Sequence, residues 1–107
     1  MIAVIFEVNL KSDGMLEYFN IAAELATQLS EIDGFISIER FQSLNDQHRF
    51  VSLSFWKDEH AVQAWREQML HRQAQAKGRT DLFDDYRIRV AEILRDYGME
   101  NRSQAPK

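Results

Sequence analysis

The 107-residue sequence predicts an α+β domain of the ferredoxin-like type, in which a four-stranded antiparallel sheet carries two helices on one face. Segments with strand-like alternation occur near the two ends of the chain and as a pair in its middle. Two segments with apolar residues at helical spacing separate them, and turn-forming residues mark the junctions. The predicted order of elements is therefore β-α-β-β-α-β.

The first strand is predicted over Ile2 to Leu10, where β-branched and aromatic residues make both faces nearly apolar. The segment Ser12-Asp13-Gly14 then provides a turn and a helix cap. Helical spacing continues to about residue 31, before Gly34. This predicts a first helix over about 14 to 31, with a buried stripe at Met15, Phe19, Ala22, Ala26 and Leu29.

A hairpin is predicted after the first helix. Its strands span Phe35 to Leu44 and Phe50 to Trp56, and the turn-forming pair Asn45-Asp46 lies between them. The later of these strands alternates strictly, which is typical of a strand with two distinct faces.

A second helix is predicted over about 58 to 77, with Asp58 as its N-cap and Gly78 at its end. Alternation resumes from Asp84 to Tyr97 and predicts a long final strand. This strand completes the sheet.

The length fits one domain, predicted over residues 1–98, with a polar tail over residues 99–107. The chain has no cysteine, which excludes disulfide frameworks and thiolate chemistry. Its N-terminal apolar run lacks the features of a signal peptide, and Glu7 interrupts it well short of membrane-spanning length. We therefore expect a cytoplasmic protein with no membrane partner.

The charge distribution favours a small ligand over a polymer. A net charge of −4 and a pI near 5.3 exclude nucleic acid and anionic lipid as main partners, because both need a basic surface. Six of the nine arginines nevertheless lie between positions 66 and 95. A small anionic ligand would suit such a locally positive region.

Large apolar side chains occupy both predicted faces of the sheet, although the helices cover one face alone. We therefore expect two copies to pack sheet against sheet in a homodimer. A cavity for a small aromatic ligand is expected between the sheet and the helices.

Four segments resemble the antibiotic biosynthesis monooxygenase (ABM) family, namely FEVNLKSDGMLEYFNIAAEL, EIDGFISIERFQS, VSLSFWKDEHAVQAWREQMLHRQAQAKGR and DYRIRVAEILRDYG. The resemblance covers about residues 2 to 98 and implies a dimeric α+β barrel. It also implies oxidation of a small phenolic or quinone-like compound by oxygen, as in members that use no cofactor. A non-catalytic module that binds a small ligand or serves a stress response is the alternative.

A haem-degrading branch of the same family uses an asparagine on the first strand, a tryptophan in the second helix and a histidine ten residues after it as axial ligand. Trp65 matches the tryptophan, whereas Gln75 stands at the ligand position and Glu7 at the asparagine position. No cofactor is therefore predicted, and haem held from a different position stays the alternative.

His71 is the candidate catalytic residue, as the acceptor of a phenol proton. Two orientations are open. On an unbroken helix His71 faces away from the core, whereas a break near residues 67–69 would turn it into the cavity.

Aromatic residues are the candidate walls of a substrate pocket: Trp56, Trp65, Phe83 and Tyr86. Core packing is the alternative role for Trp56 and Trp65. Arg40 or Asn9 is the candidate polar anchor for the substrate, and a cross-strand ion pair is the alternative for Arg40. The sequence contains no recognisable metal-binding motif, phosphate loop or nucleophile elbow.

Overall fold

A computed structural model describes residues 1–75 and 83–106, with the side chains of residues 68–75 and of Phe83 outside the description. Its elements confirm the predicted order: β1 (Ile2–Leu10), α1 (Met15–Leu29), β2 (Phe35–Gln42), β3 (Arg49–Trp56), α2 (Glu59–Gln75) and β4 (Phe83–Glu92). The strands form one sheet in the order β2-β3-β1-β4, and all neighbours are antiparallel. This is the predicted ferredoxin-like fold.

The final strand is shorter than predicted, ending at Glu92 instead of Tyr97. Its partner β1 begins at Ile2, which lies opposite Glu92, so the ladder has no further residues to pair. The N–H of Ile93 donates to the carbonyl oxygen of Met1 at 2.9 Å, and regular pairing stops there. The length of a strand therefore depends on the strand it pairs with as well as on the alternation in its own sequence.

Even-numbered residues of β1 face the helices. At one end of this face Val4 packs with Leu29 and Trp56, together with Ala61 and Val62 of α2. At the other end a second cluster forms from Val8, Leu10, Tyr18 and Phe50. The core is thus divided into two clusters along the sheet, one near the start of α2 and one near the start of α1.

The stripe of α1 differs from the predicted one at Phe19, whose place in the core is taken by Tyr18. Its buried residues are Tyr18, Ala22 and Leu29, whereas Phe19 is 40% exposed. The Phe19 ring instead meets Phe50 edge-on, with centroids 5.3 Å apart. The tyrosine ring is therefore the one placed under the helix.

The opposite face of the sheet is also largely apolar. Ile5, Val51, Leu53 and Phe55 are half-buried there, and Phe41 is 44% exposed. Beside them the Oε2 atom of Glu7 accepts hydrogen bonds from Arg49 at 3.4 Å and Arg89 at 3.0 Å. We call this face, defined by Ile5, Val51, Leu53, Phe55 and Phe41, the open face.

The segment after β4 has local structure. The N–H of Asp96 donates to Gln104 Oε1 at 2.8 Å, and the N–H of Gly98 donates to the carbonyl of Asn101 at 2.8 Å. The Arg102 guanidinium lies 5.2 Å from the centroid of the Tyr97 ring. Among the described helices none is both long and apolar enough to cross a membrane.

Gly34 allows α2 to pack closely against the turn that precedes β2. Its φ is +91°, and a Cβ at this position would lie 2.7 Å from the Cβ of Ala61. We expect Gly34→Ala to lower the free energy of unfolding by about 1–3 kcal/mol, because the backbone and the contact are both unfavourable for alanine. Urea unfolding measures the effect. Gly98→Ala is the matched control, since no atom lies within 4 Å of its Cβ position; equal losses in the two variants would contradict the explanation.

Candidate substrate-binding site

Two tryptophans meet where β3 passes into α2. The rings of Trp56 and Trp65 are stacked, with centroids 5.5 Å apart and planes at 29°. Asp58 fixes the start of the helix, since its Oδ1 accepts the N–H of Ala61 at 2.9 Å and so confirms the predicted N-cap. The stacked pair therefore has a rigid support on the strand and on the helix.

The indole N–H groups of the two tryptophans differ. Trp56 is 0% exposed, and its Nε1–H donates to Ser54 Oγ at 2.9 Å. Trp65 Nε1 is buried without a hydrogen-bond partner in the part of the chain that the structure describes. An unsatisfied buried donor costs about 1–3 kcal/mol. Trp65 thus offers a donor to any acceptor bound beside it.

The sheet next to this pair has an apolar, partly uncovered surface. Phe6 is half-buried and lies 5.8 Å from the Tyr86 ring, measured between centroids. Ile88 and Val90 are 50% and 49% exposed, although the register places them on the helix side of β4. We call the surface formed by Phe6, Ile88 and Val90 the trough. Trp65 packs against the neighbouring cluster that contains Val4, the residue opposite Val90 in the sheet.

The small side chains Ser52 and Ser54 lie on the same side of β3, 9% and 4% exposed. The register aligns Ser52 with Phe6 on one side and with Arg40 on the other. Hence the row Arg40, Ser52, Phe6 and Ile88 crosses the whole sheet beneath the helices. Sequence analysis did not identify the two serines, Phe6 or Ile88 as site residues. All four have even numbers in their strands, and this alternation places them on one face of the sheet.

Arg40 lies half-buried between the sheet and α1. Its Nη2 donates to the carbonyl oxygen of Ala22 at 3.0 Å. Burial raises the pKa of the Tyr18 phenol above its ordinary value, and the Arg40 guanidinium, which hydrogen-bonds to that phenol, partly offsets the rise. The phenol therefore stays neutral beside the guanidinium at physiological pH.

Asn9 occupies a different place from the other predicted site residues. It lies on the sheet face away from the helices, beside Glu7 and Arg49 in a pocket of about 70 Å³. Within one chain, Asn9 and the tryptophan pair are thus on opposite faces of the sheet. Trp56, Trp65, Tyr86 and Arg40 share the helix face.

Two further predicted residues fall outside the described side chains. His71 lies in α2, and Phe83 begins β4 opposite Leu10. Residues 76–82 are also outside the description. A larger described cleft, of about 410 Å³, lies at the end of the sheet beside Ile2, Lys57 and Val90. Among the described residues no group of three or more metal-ligating side chains occurs.

Comparison with known proteins adds a family and a fold. A family model described as antibiotic biosynthesis monooxygenase matches residues 1–77. The chain is 41% identical over 93 residues to a protein of Pyricularia oryzae named jasmonate monooxygenase ABM. That match covers 87% of this chain but 43% of the fungal protein, so the chain spans less than half the length of this relative.

Solved structures agree with the architecture. Rv0793 from Mycobacterium tuberculosis superposes with a TM-score of 0.76 at 16% identity, covering 91% of this chain and 98% of that one. The heme-degrader MhuD from the same organism, with two hemes bound in its active site, gives a TM-score of 0.73 at 16% identity, covering 92% and 100%. At these identities the likeness concerns the fold alone.

Proposed function

Because the chain belongs to the antibiotic biosynthesis monooxygenase family, we propose that it is a monooxygenase acting without a cofactor on a small phenolic or quinone-like compound. The single observation that carries the proposal is the buried Trp65 N–H, which has no hydrogen-bond partner among the described residues and lies near the apolar trough. Such a site holds an aromatic body and donates to an oxygen atom on it. A substrate that reacts with O₂ through its own anion requires these two things of the protein: a place for its aromatic body and a donor to its oxygen atom.

The proposed reaction needs no external reductant. Loss of the phenol proton gives an electron-rich anion, which reacts with O₂ at a CH₂ carbon conjugated to the ring. The CH₂ group becomes a carbonyl, one oxygen atom enters the product, and the other leaves as water with the two hydrogens. The substrate itself supplies the four electrons. The tasks of the protein are therefore to orient the substrate, to exclude water and to move protons.

The roles of the residues follow from their positions. Phe6 and Ile88 support the aromatic body from the sheet, and the Trp65 ring closes one side of it. Trp65 Nε1–H donates to the developing oxyanion. His71, in α2, is proposed as the proton acceptor, because imidazole accepts protons near neutral pH. Phe83 and Tyr86 are proposed to complete the wall along β4.

Oxygen uptake by the metal-free protein tests this function. The panel includes anthrone-type phenols, naphthohydroquinones and jasmonate, since the fungal relative carries that substrate in its name. We expect catalysed uptake with at least one phenolic compound. Trp65→Phe, which keeps the ring and loses the donor, should lower kcat by about 10- to 100-fold.

The control is the same protein after heat denaturation, which measures spontaneous oxidation of each compound. Saturable binding without uptake across the panel would contradict the monooxygenase and favour a binding module. A Soret band on addition of haem, with turnover only then, would contradict the cofactor-free reaction.

We also propose that two copies pair through the open face. Ile5, Leu53 and Phe55 lie at its centre, on the side of the sheet away from the helices. An apolar sheet face of this kind is stabilised when a second sheet covers it. A two-fold axis would bring the open face of one copy against the open face of the other.

A further inference from the structure

Glu39 is an exposed carboxylate beside the open face. It belongs to the edge strand β2, and the register places it opposite Leu53 on that face of the sheet. It takes part in none of the ion pairs formed among the described residues. A second sheet packed on the open face would remove water from this carboxylate, which is costly unless a cation compensates it.

A cation lies at the other edge of the sheet, in the same row of residues. Ile5 of β1 pairs with Leu53 on one side and with Arg89 of the edge strand β4 on the other. The row that crosses all four strands is therefore Glu39, Leu53, Ile5 and Arg89. It has a negative charge at one edge, a positive charge at the other and apolar side chains between them.

Arg89 can take a second carboxylate. Its Nη1 donates to Glu7 Oε2 at 3.0 Å, and Arg49 donates to the same oxygen at 3.4 Å. Two guanidinium groups thus share one carboxylate, so this cluster has an excess of positive charge. The side chain of Arg89 is 51% exposed, and a guanidinium has five N–H donors.

A two-fold axis parallel to the strands would bring the two charged edges together. Such a rotation preserves the position along the strands and exchanges the two edges, so β2 of one copy lies over β4 of the other. Glu39 would then face Arg89 of the partner subunit, and symmetry would give two such pairs. Packed sheets are about 10 Å apart, a gap that two long side chains reaching from opposite sides can bridge.

The next row of the open face fits the same axis. Phe55 pairs with Ala3 in this row, so the rotation would place each phenylalanine over an alanine of the other copy. Large side chains opposite small ones interdigitate well. An axis across the strands, through the row of Leu53, would instead place Glu39 over Glu39 and Arg89 over Arg89. Like charges facing each other in an interface are unfavourable.

We propose that the homodimer has its two-fold axis parallel to the strands, and that Glu39 forms an ion pair with Arg89 of the partner subunit. The inference rests on the proposed pairing through the open face and adds its orientation and the residues that select it. The two ion pairs lie on either side of the apolar centre, where charge complementarity fixes the register of the two sheets.

Charge reversal tests the ion pair. Glu39→Arg and Arg89→Glu should each raise the dissociation constant of the dimer about 10- to 100-fold, since like charges then face each other twice. An equimolar mixture of the two variants should form a heterodimer at least about tenfold tighter than either homodimer, because both of its pairs are complementary. Sedimentation velocity over a concentration series at low ionic strength measures all three.

Matched controls make the same charge changes on the helices. Glu24 and Arg66 are exposed on α1 and α2, so Glu24→Arg and Arg66→Glu should leave the dissociation constant unchanged. Glu39 is exposed on an edge strand, so Glu39→Arg should fold, and its dissociation constant alone decides the matter if Arg89→Glu does not fold.

Cross-linking tests the direction of the axis, since the chain has no cysteine of its own. A bismaleimide with a span of about 10 Å, the separation of packed sheets, should join Glu39→Cys to Arg89→Cys in a mixture of the two variants. It should join neither variant to itself.

The proposal is overturned if Glu39→Arg dimerises as tightly as the wild type, or if Glu39→Cys cross-links to itself and not to Arg89→Cys. Either result, with a dimeric wild type, would leave the pairing through the open face in place. A wild type that stays monomeric would overturn the pairing and the ion pair together.

Discussion

Replacement of His71 by alanine is expected to lower kcat/KM for oxygenation by about 100- to 10,000-fold, the range for loss of a general base. His71 lies in α2, about three and a half turns beyond the N-cap and in the half of the helix that follows Trp65. The substrate anion is the species that reacts with O₂, so a protein without a base would turn over only the small fraction already ionised. Initial rates of oxygen uptake at saturating and limiting substrate separate kcat from KM.

The matched control is His60→Ala. His60 belongs to the same helix and is exposed, near the N-terminal end of α2. The His60→Ala variant should retain wild-type rates of oxygen uptake. Full activity of His71→Ala would show that another group is the base. Equal losses of activity in the two variants would indicate damage to α2 instead of loss of a base.

Substitution of Leu53 by glutamate is expected to raise the dissociation constant of the proposed homodimer by about 100- to 1,000-fold. Leu53 lies in β3 on the open face, opposite Ile5 of β1 and Glu39 of β2. A carboxylate placed between two apolar sheets loses its hydration without a partner, which costs several kcal/mol. Sedimentation velocity over a concentration series measures the effect.

Leu16→Glu is the same chemical change on the outside of α1, where Leu16 is 74% exposed. It should leave the dimer intact, and urea unfolding of both variants shows whether each remains folded. A wild-type protein that is monomeric at micromolar concentration, or a Leu53→Glu protein that dimerises normally, would contradict pairing through this face.

Local sequence patterns predict most of the fold. Alternation defined β1 and β3, Asp58 marked the start of α2, and helical spacing defined α1 to within about two residues. The end of β4 was not predicted correctly, because it depends on where β1 begins. Likewise, the choice between Phe19 and Tyr18 as the buried ring of α1 depends on how the helix rotates over Phe50.

The site was predictable only in part. The pair Trp56 and Trp65 follows from one strand end and the first turns of the next helix, which are close in sequence. The positions of Arg40 and Asn9 depend on which face of a nearly apolar sheet receives the helices. Both faces of β1 read as apolar, so the sequence alone did not decide that question.

The measurement that tests the central claim most directly is the fate of ¹⁸O₂ in a reaction catalysed by the metal-free protein. The account predicts one ¹⁸O atom in each product molecule and one in water, with one O₂ consumed per substrate and no added reductant. The carbonyl product is extracted at once into a dry solvent to limit exchange with water. Product that carries oxygen from water alone, or turnover that needs an added metal, haem or reductant, would contradict it.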